Sequence, residues 1–194
     1  MYFVNGWLKA ALLGLAAISL LGCDISDDLI ASDEDKRPAV TAGSSGYLPG
    51  QRAADFSVVD SLGDEFVLSD HLAAGRAPAD VVVLYFTMWC PICLAHSDHI
   101  YSQVMPRFQG RGTVVYALVD YVSGSVSASR ASEVANGYAG SDFVTLVDAH
   151  LALLDQFNGA MGTVVVIDSD GTILLNEDYR TGAALMQTLD QQLP

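Results

Sequence analysis

The sequence predicts an α/β domain with a central mixed sheet, helices on both faces and a β-hairpin near the start of the domain. Continuous apolar, β-branched runs at 80–87 and 113–120 are typical of strands that are buried on both faces. Helical patterns follow both runs, and strands that alternate with helices favour a sheet covered on both sides. A late hairpin with its turn at 169–171 adds an antiparallel edge, so the sheet is expected to be mixed.

The predicted elements follow one another in a regular order. The first hairpin pairs 55–60 with 65–68 around a turn at 61–64, and Ser69 is a candidate cap for a short helical turn. Predicted strands then occupy 80–87, 113–120, 143–147, 163–168 and 172–176. Predicted helices occupy 91–108, 127–138, 149–157 and 181–193.

Two cysteines with C-x-x-C spacing, Cys90 and Cys93, lie where the buried strand at 80–87 gives way to a helix. At a helix start, unpaired backbone N–H groups and the helix dipole favour a thiolate on Cys90. Pro91 suits the first helical position, where no backbone donor is required. Cys93 comes about one turn later, close enough to form a disulfide with Cys90 and to release a mixed-disulfide partner. The pattern predicts a redox dithiol.

A C-x-x-C pair can instead be half of a zinc site, which usually needs four ligands. His96 and His99 follow Cys93 by three and six residues and could complete such a site. The haem-attachment spacing C-x-x-C-H is absent, because Leu94 follows Cys93. A redox dithiol is the favoured interpretation, and a zinc site or a pair of inert cysteines are the alternatives.

The amino terminus predicts export and a lipid anchor. Lys9 precedes an apolar core at 10–21, which is shorter than the roughly 20 residues of a membrane-spanning helix but typical of a signal peptide. The core ends in Leu-Leu-Gly-Cys at 20–23, which resembles the bacterial lipobox. We therefore expect a lipoprotein signal peptide at 1–22, lipidation of Cys23, and a lipid-anchored domain in the bacterial cell envelope. An ordinary signal peptide is the alternative.

A spacer is predicted between the lipid anchor and the folded domain. Residues 23–47 include six acidic side chains and a Gly/Ser-rich stretch at 41–46, a composition typical of flexible spacers. Residues 48–194 are enough for one domain of ordinary size with its own core. The net charge of −14 argues against nucleic acid as a partner and against docking on anionic lipid.

Four segments of the domain carry a family resemblance by their order and spacing around the C-x-x-C pair. They are LPGQRAADF at 48–56, the stretch 60–72, YFTMWCPIC at 85–93 and the stretch 164–171. Together they resemble the thioredoxin-like redoxins, and most of all the membrane-tethered thiol–disulfide oxidoreductases of the TlpA/ResA type. The resemblance implies a thioredoxin fold, with Cys90 as the exposed nucleophile and Cys93 as the buried resolving thiol.

The same resemblance implies partners and chemistry. Clients would be exported proteins with thiols or disulfides, apocytochrome c among them, and a membrane partner would relay electrons. No cofactor besides the redox-active disulfide is expected. Trp89 would flank the active thiol and shape the docking surface. The sequence leaves open whether the protein reduces or oxidises its clients.

Three positions depart from the pattern of this family. Relatives carry a cis-proline near the position of Gly162 and Thr163, and here the bond at Gly162 is expected to be trans, because a non-proline cis bond costs roughly 3–4 kcal/mol. Both residues are nevertheless candidates for active-site support. His96 stands where many relatives carry glutamate, and it could exchange protons near neutral pH or lie on the solvent face. Ala54 replaces a proline of the opening motif.

A peroxidase is the first alternative function. Thr87 precedes Cys90 by three residues, which resembles the T-x-x-C of peroxiredoxins, where the threonine hydroxyl and an arginine activate the peroxide. Arg180 and Arg130 are the candidate arginines.

A copper carrier similar to the Sco-type metallochaperones is the second alternative. Soft thiolates select Cu(I), and Tyr85-Phe86-Thr87 before the first cysteine is similar to that group. Sco-type proteins use C-x-x-x-C, however, and His150 lies earlier in the chain than their histidine. We expect His150 to be a surface residue at a helix start.

Overall fold

The computed structural model describes residues 39–194. The predicted signal peptide at 1–22, the lipidation residue Cys23 and most of the predicted spacer lie outside the described residues. Within 39–194, no helix combines the length and the apolar character that crossing a bilayer requires.

Seven strands form one mixed sheet at the centre of the domain. They are β1 (Ser57–Asp60), β2 (Glu65–Val67), β3 (Val81–Thr87), β4 (Val114–Asp120), β5 (Phe143–Val147), β6 (Thr163–Asp168) and β7 (Ile173–Asp178). Their order across the sheet is β2-β1-β5-β4-β3-β6-β7. Strands β3, β4 and β5 run parallel, and the first and last hairpins pair antiparallel. The predicted α/β class and mixed sheet are confirmed.

The helices follow the predicted order with shorter bounds, and two of the five lie within the single helix predicted at 91–108. They are α1 (Pro91–His99), α2 (Met105–Phe108), α3 (Val126–Ala135), α4 (Ala152–Gln156) and α5 (Ala183–Gln192). A π-helical turn at Ile100–Val104 joins α1 to α2, so the single helix predicted at 91–108 is continuous but locally widened. Pro106 accounts for this turn, because it lacks an N–H and crowds the carbonyl four residues earlier.

Two predicted helix starts are wrong. The 3₁₀ turn at Leu68–His71 has Val67 at its cap position and no side-chain cap, while the backbone N–H of Ser69 bonds to the Asp55 carboxylate at 2.8 Å. Helix α4 begins at Ala152 rather than 149, because the Asp148 carboxylate accepts hydrogen bonds from the N–H groups of the following turn. A buried carboxylate at this position fixes where the helix begins.

Part of the predicted spacer is ordered on the domain, so the spacer prediction is wrong for 41–46. The backbone N–H of Gly43 bonds to the carbonyl of Gly50 at 3.0 Å, and that of Arg52 bonds to Ser44 at 2.8 Å. The segment 50–52 is itself bonded to Ile173 at the start of β7. These backbone hydrogen bonds offset the conformational entropy that the Gly/Ser-rich stretch loses when it becomes ordered. The compact unit accordingly begins at Val40.

Strand β3 supplies side chains to both hydrophobic cores. Val81, Val83 and Tyr85 enter one core, together with side chains of α1, α2 and α5. The alternate residues of the strand, Leu84 and Phe86 among them, enter the core on the opposite face. Burial on both sides explains the continuous apolar run, and it holds the carboxyl end of β3, where the two cysteines follow, in a fixed place.

Candidate active site

The two thiols lie at the start of α1, at the carboxyl end of the central strand β3. Cys90 occupies the cap position of the helix and Pro91 its first turn. The sulfurs of Cys90 and Cys93 are 2.9 Å apart, and both thiols are free. The backbone N–H of Cys93 donates to the Cys90 sulfur at 3.3 Å. The pair is therefore within reach of disulfide formation without movement of the helix.

The two thiols differ in exposure and in acidity. Cys90 is partly exposed, whereas Cys93 is 0% exposed. Hydrogen bonds from the Cys93 thiol and from backbone N–H groups lower the pKa of Cys90, since they stabilise its thiolate. Burial and the neighbouring Cys90 raise the pKa of Cys93. Cys90 is thus the accessible and more acidic thiol, and Cys93 is the buried and less acidic partner behind it.

Trp89 fixes the loop that leads from β3 to the dithiol through a hydrogen bond and a ring contact. Trp89 has a φ of +57°, a left-handed conformation that side-chain-bearing residues seldom adopt, and its N–H donates to the Thr87 hydroxyl at 3.1 Å. The indole stacks on Tyr138 with ring centroids 6.3 Å apart. Thr87 and Trp89 thereby fix the turn that presents Cys90.

The loop before β6 packs against the end of β3 and reaches the dithiol. Gly162 donates its N–H to Phe86 at 3.0 Å and has a φ of +83°, and every described peptide bond, including this one, is trans as expected. The Thr163 hydroxyl accepts from Ala160 at 2.9 Å, which closes the loop. This geometry places the Met161 sulfur 3.5 Å from the Cys90 sulfur. Sequence reasoning missed Met161, although its place next to Gly162 was a signal.

Met161 is one of three exposed apolar side chains close to Cys90. Met88, Ile92 and Met161 are 40%, 57% and 43% exposed, and we call them the apolar rim. Large exposed apolar side chains grouped at one place mark surfaces that another molecule covers. The apolar rim is therefore a candidate contact surface for another molecule beside the Cys90 sulfur.

His96 faces the protein interior rather than the solvent. Its Nδ1 is 3.0 Å from the Tyr85 hydroxyl, and its ring centroid is 4.8 Å from that of Tyr179. Burial, and then the neighbouring His99, lower the pKa of His96, so its imidazole is neutral at pH 7. Of the two roles left open by the sequence, the placement of His96 agrees with proton exchange.

The second histidine of the α1 helix also contacts a tyrosine. His99 Nδ1 is 2.7 Å from the Tyr179 hydroxyl, and His150 is exposed just before α4. Among residues 39–194, no three His, Cys, Asp or Glu side chains converge in a way that could hold a metal ion. Neither the zinc nor the copper alternative gains a third ligand of these types in this part of the chain.

The two arginines that were candidates for peroxide activation do not contact Cys90. Arg130 forms an ion pair with Glu133 at 2.8 Å, on helix α3. Arg180 is exposed in the loop between β7 and α5. In the described residues, the hydrogen-bonding contacts of the Cys90 sulfur are with Cys93 and Met161, and the Thr87 hydroxyl is engaged by Trp89. The structure thus does not bring threonine, arginine and Cys90 together as a group.

Solved structures of thiol-handling proteins are similar to this fold. A candidate protein disulfide isomerase from Bacteroides thetaiotaomicron aligns with a TM-score of 0.62 at 19% identity, over 75% of this chain and 90% of that one. A candidate thiol:disulfide interchange protein DsbE from Chlorobium tepidum aligns with a TM-score of 0.60 at 20% identity, over 76% and 99%. Peroxidoxin BcpB from Mycobacterium tuberculosis aligns with a TM-score of 0.55 at 23% identity, over 74% and 96%.

These similarities confirm the predicted thioredoxin-like fold. No curated protein matches the sequence significantly. The profile of the AhpC/TSA family matches residues 49–175, which is more than half of the chain and includes the dithiol and the loop before β6. The chain belongs to the AhpC/TSA family.

Proposed function

We propose that this protein is an extracytoplasmic thiol–disulfide oxidoreductase that exchanges the Cys90–Cys93 dithiol with disulfides of exported proteins. One observation carries the proposal: the two sulfurs are 2.9 Å apart, and only one of them is accessible. Family membership supports a redox function in general. The names of two structural neighbours, which refer to disulfide isomerisation and interchange, agree with the more specific activity.

The geometry supports a two-step exchange. In the first step, the Cys90 thiolate attacks a client disulfide, forms a mixed disulfide and releases one client thiolate, which takes up a proton. In the second step, Cys93 loses its proton and attacks the Cys90 sulfur. The bond between Cys90 and the client breaks, and the second client thiolate leaves. The client gains two electrons and two protons, and Cys90–Cys93 becomes a disulfide that a membrane electron donor would reduce again.

The apolar rim supports the proposal that the client is an unfolded or partly folded protein. Proteins that have not finished folding expose apolar side chains, and Met88, Ile92 and Met161 offer matching contacts. Methionine side chains adapt to varied partners because they are flexible and polarisable. Apocytochrome c is the client that the resemblance to the TlpA/ResA type implies.

Reduction of insulin disulfides by dithiothreitol is the experiment that tests the proposed activity. The full chain should be used in detergent with Cys23→Ser, so that only Cys90 and Cys93 carry thiols. We expect catalysed precipitation of the insulin B chain, and no catalysis by the matched protein that also carries Cys90→Ser and Cys93→Ser. Equal rates for both proteins would exclude the proposed function.

We further propose that Cys23 carries the lipid that anchors the protein, with the domain outside the cytoplasmic membrane. The Leu-Leu-Gly-Cys sequence supports this proposal, and two or three acyl chains bind a bilayer firmly at about 0.8 kcal/mol per buried methylene. In bacterial cells, Cys23→Ser is expected to abolish incorporation of labelled palmitate, while Cys90→Ser leaves it unchanged. Palmitate label that persists in Cys23→Ser would contradict the anchor.

Peroxide reduction by Cys90 is the second activity worth measuring, because one structural neighbour is named a peroxidoxin and the family is AhpC/TSA. The accessible thiol of Cys90, with its lowered pKa, favours peroxide reduction, whereas the positions of Thr87, Arg130 and Arg180 do not. Consumption of hydrogen peroxide with a dithiol donor separates this activity from disulfide exchange.

A further inference from the structure

The second step of the proposed exchange needs a base that takes the proton of Cys93. Cys93 is fully buried and its thiol must lose a proton before it can attack the Cys90 sulfur. Among residues 39–194, no Asp or Glu side chain hydrogen-bonds to either thiol. The buried thiol therefore depends on a neighbouring group that can take its proton.

The Tyr85 hydroxyl contacts His96, and it lies close enough to the Cys93 thiol to interact with it as well. Cys93 and His96 are three residues apart on α1 and so lie on one face of the helix. Tyr85, 1% exposed on β3, directs its hydroxyl to His96 Nδ1 at 3.0 Å. A side chain on Gly162 would lie within 4 Å of both the Tyr85 hydroxyl and the His96 ring, so this glycine borders the same space.

We propose that Tyr85 and His96 form a proton relay that deprotonates Cys93 in the resolving step, which rests on the proposed function. The Cys93 S–H proton passes to the Tyr85 oxygen while the Tyr85 O–H proton passes to His96 Nδ1. One S–H bond breaks and one N–H bond forms, and the imidazole becomes an imidazolium. The leaving client thiolate or water later takes the proton from His96, so the relay is restored with no net change.

The surroundings of both groups suit this role. Burial and the nearby thiols of Cys93 and Cys90 raise the pKa of Tyr85, so the phenol stays protonated and passes a proton on rather than losing its own permanently. His96 is neutral at pH 7 and can therefore accept.

The titratable neighbours of His96 are few. They are Tyr85 on β3, Tyr179 after β7, and Cys93 and His99 on its own helix. Asp98, also on α1, accepts a hydrogen bond from Tyr138 at 2.6 Å and is engaged there.

Reaction with the aromatic disulfide DTNB isolates the proposed step. Attack by Cys90 releases one thionitrobenzoate, and attack by Cys93 on the mixed disulfide releases the second, so the two phases report the two steps. On the full chain with Cys23→Ser, we expect Tyr85→Phe and His96→Gln to slow the second phase about 100-fold at pH 7, a typical contribution of general-base catalysis. The first phase should change little.

The pH profile separates the relay from a structural role. With the relay intact, the rate of the second phase is expected to fall as the pH drops through the lowered pKa of His96, because the imidazolium cannot accept a proton. Around neutral pH this rate should not change with pH. In Tyr85→Phe and His96→Gln, the rate of the second phase should rise about tenfold per pH unit up to the raised pKa of Cys93. The reason is that the fraction of Cys93 present as thiolate then sets the rate. The difference in second-phase rate between these variants and the protein with the intact relay should thus become smaller at alkaline pH.

Two further variants complete the test. His99→Gln is the matched control, since His99 contacts Tyr179 rather than Tyr85, and it should keep a fast second phase. His96→Glu returns an ionisable acceptor and should regain much of the lost rate.

Two outcomes would overturn the relay: second-phase rates in Tyr85→Phe and His96→Gln that equal the unaltered rate, or a deficit that is the same at every pH. A protein with an intact relay that releases no second thionitrobenzoate would instead refute the proposed exchange itself.

Discussion

Replacement of Cys93 by serine is expected to turn a transient mixed disulfide into a stable one. Without the buried resolving thiol, Cys90 still attacks the client, but nothing within the site can break the bond that forms. Turnover in the insulin assay should be lost, and non-reducing electrophoresis of Cys93→Ser from bacterial cells should show client adducts that dithiothreitol releases.

Cys90→Ser is the matched control for this trap. It also removes one thiol of the pair, but it leaves only the sulfur that is 0% exposed. We expect loss of turnover without adducts. Equal amounts of adduct in the two variants, or turnover that survives in Cys90→Ser, would mean that the assigned roles of the two thiols are wrong.

Truncation of Phe157 is expected to have the largest effect on stability. Phe157 is fully buried at the end of α4, and its ring packs edge-on against Phe56 at 6.1 Å and against Phe86 at 6.4 Å. Phe157→Ala removes these contacts and leaves a cavity, so we expect the free energy of unfolding to fall by about 3–5 kcal/mol. Urea unfolding followed by circular dichroism measures this loss.

The control for Phe157→Ala is Leu62→Ala, which trims an exposed apolar side chain in the first hairpin turn. Leu62 is 66% exposed, so its removal should change the free energy of unfolding by less than about 0.5 kcal/mol. Because Phe86 lies on β3 one residue before Thr87, Phe157→Ala should also loosen the support of the dithiol. Similar losses for the two variants would contradict the packing described for this core.

Patterns that depend on neighbouring residues could be predicted from the sequence. The continuous apolar run of β3 indicates burial on both faces, and alternate residues do enter two different cores. The C-x-x-C pair with Pro91 indicates a helix start, and Cys90 does occupy the cap position. Both inferences follow from local backbone and side-chain chemistry.

Features that arise from distant contacts could not be predicted in this way. Met161 lies 71 residues after Cys90, and only the packing of its loop on β3 brings the two sulfurs to 3.5 Å. The link between Tyr85 and His96 likewise joins a strand to a helix face. The order of 41–46 was missed because composition reports the entropy cost and not the backbone bonds that offset it.

A redox titration of the full chain with Cys23→Ser tests the central claim most directly. The protein is equilibrated with mixtures of reduced and oxidised glutathione, its remaining thiols are blocked with a maleimide, and its mass is measured. We predict a single two-electron transition in which both thiols disappear together and a Cys90–Cys93 disulfide forms within one molecule. Thiols that stay free, or that form only bonds between molecules across the whole range, would contradict the account.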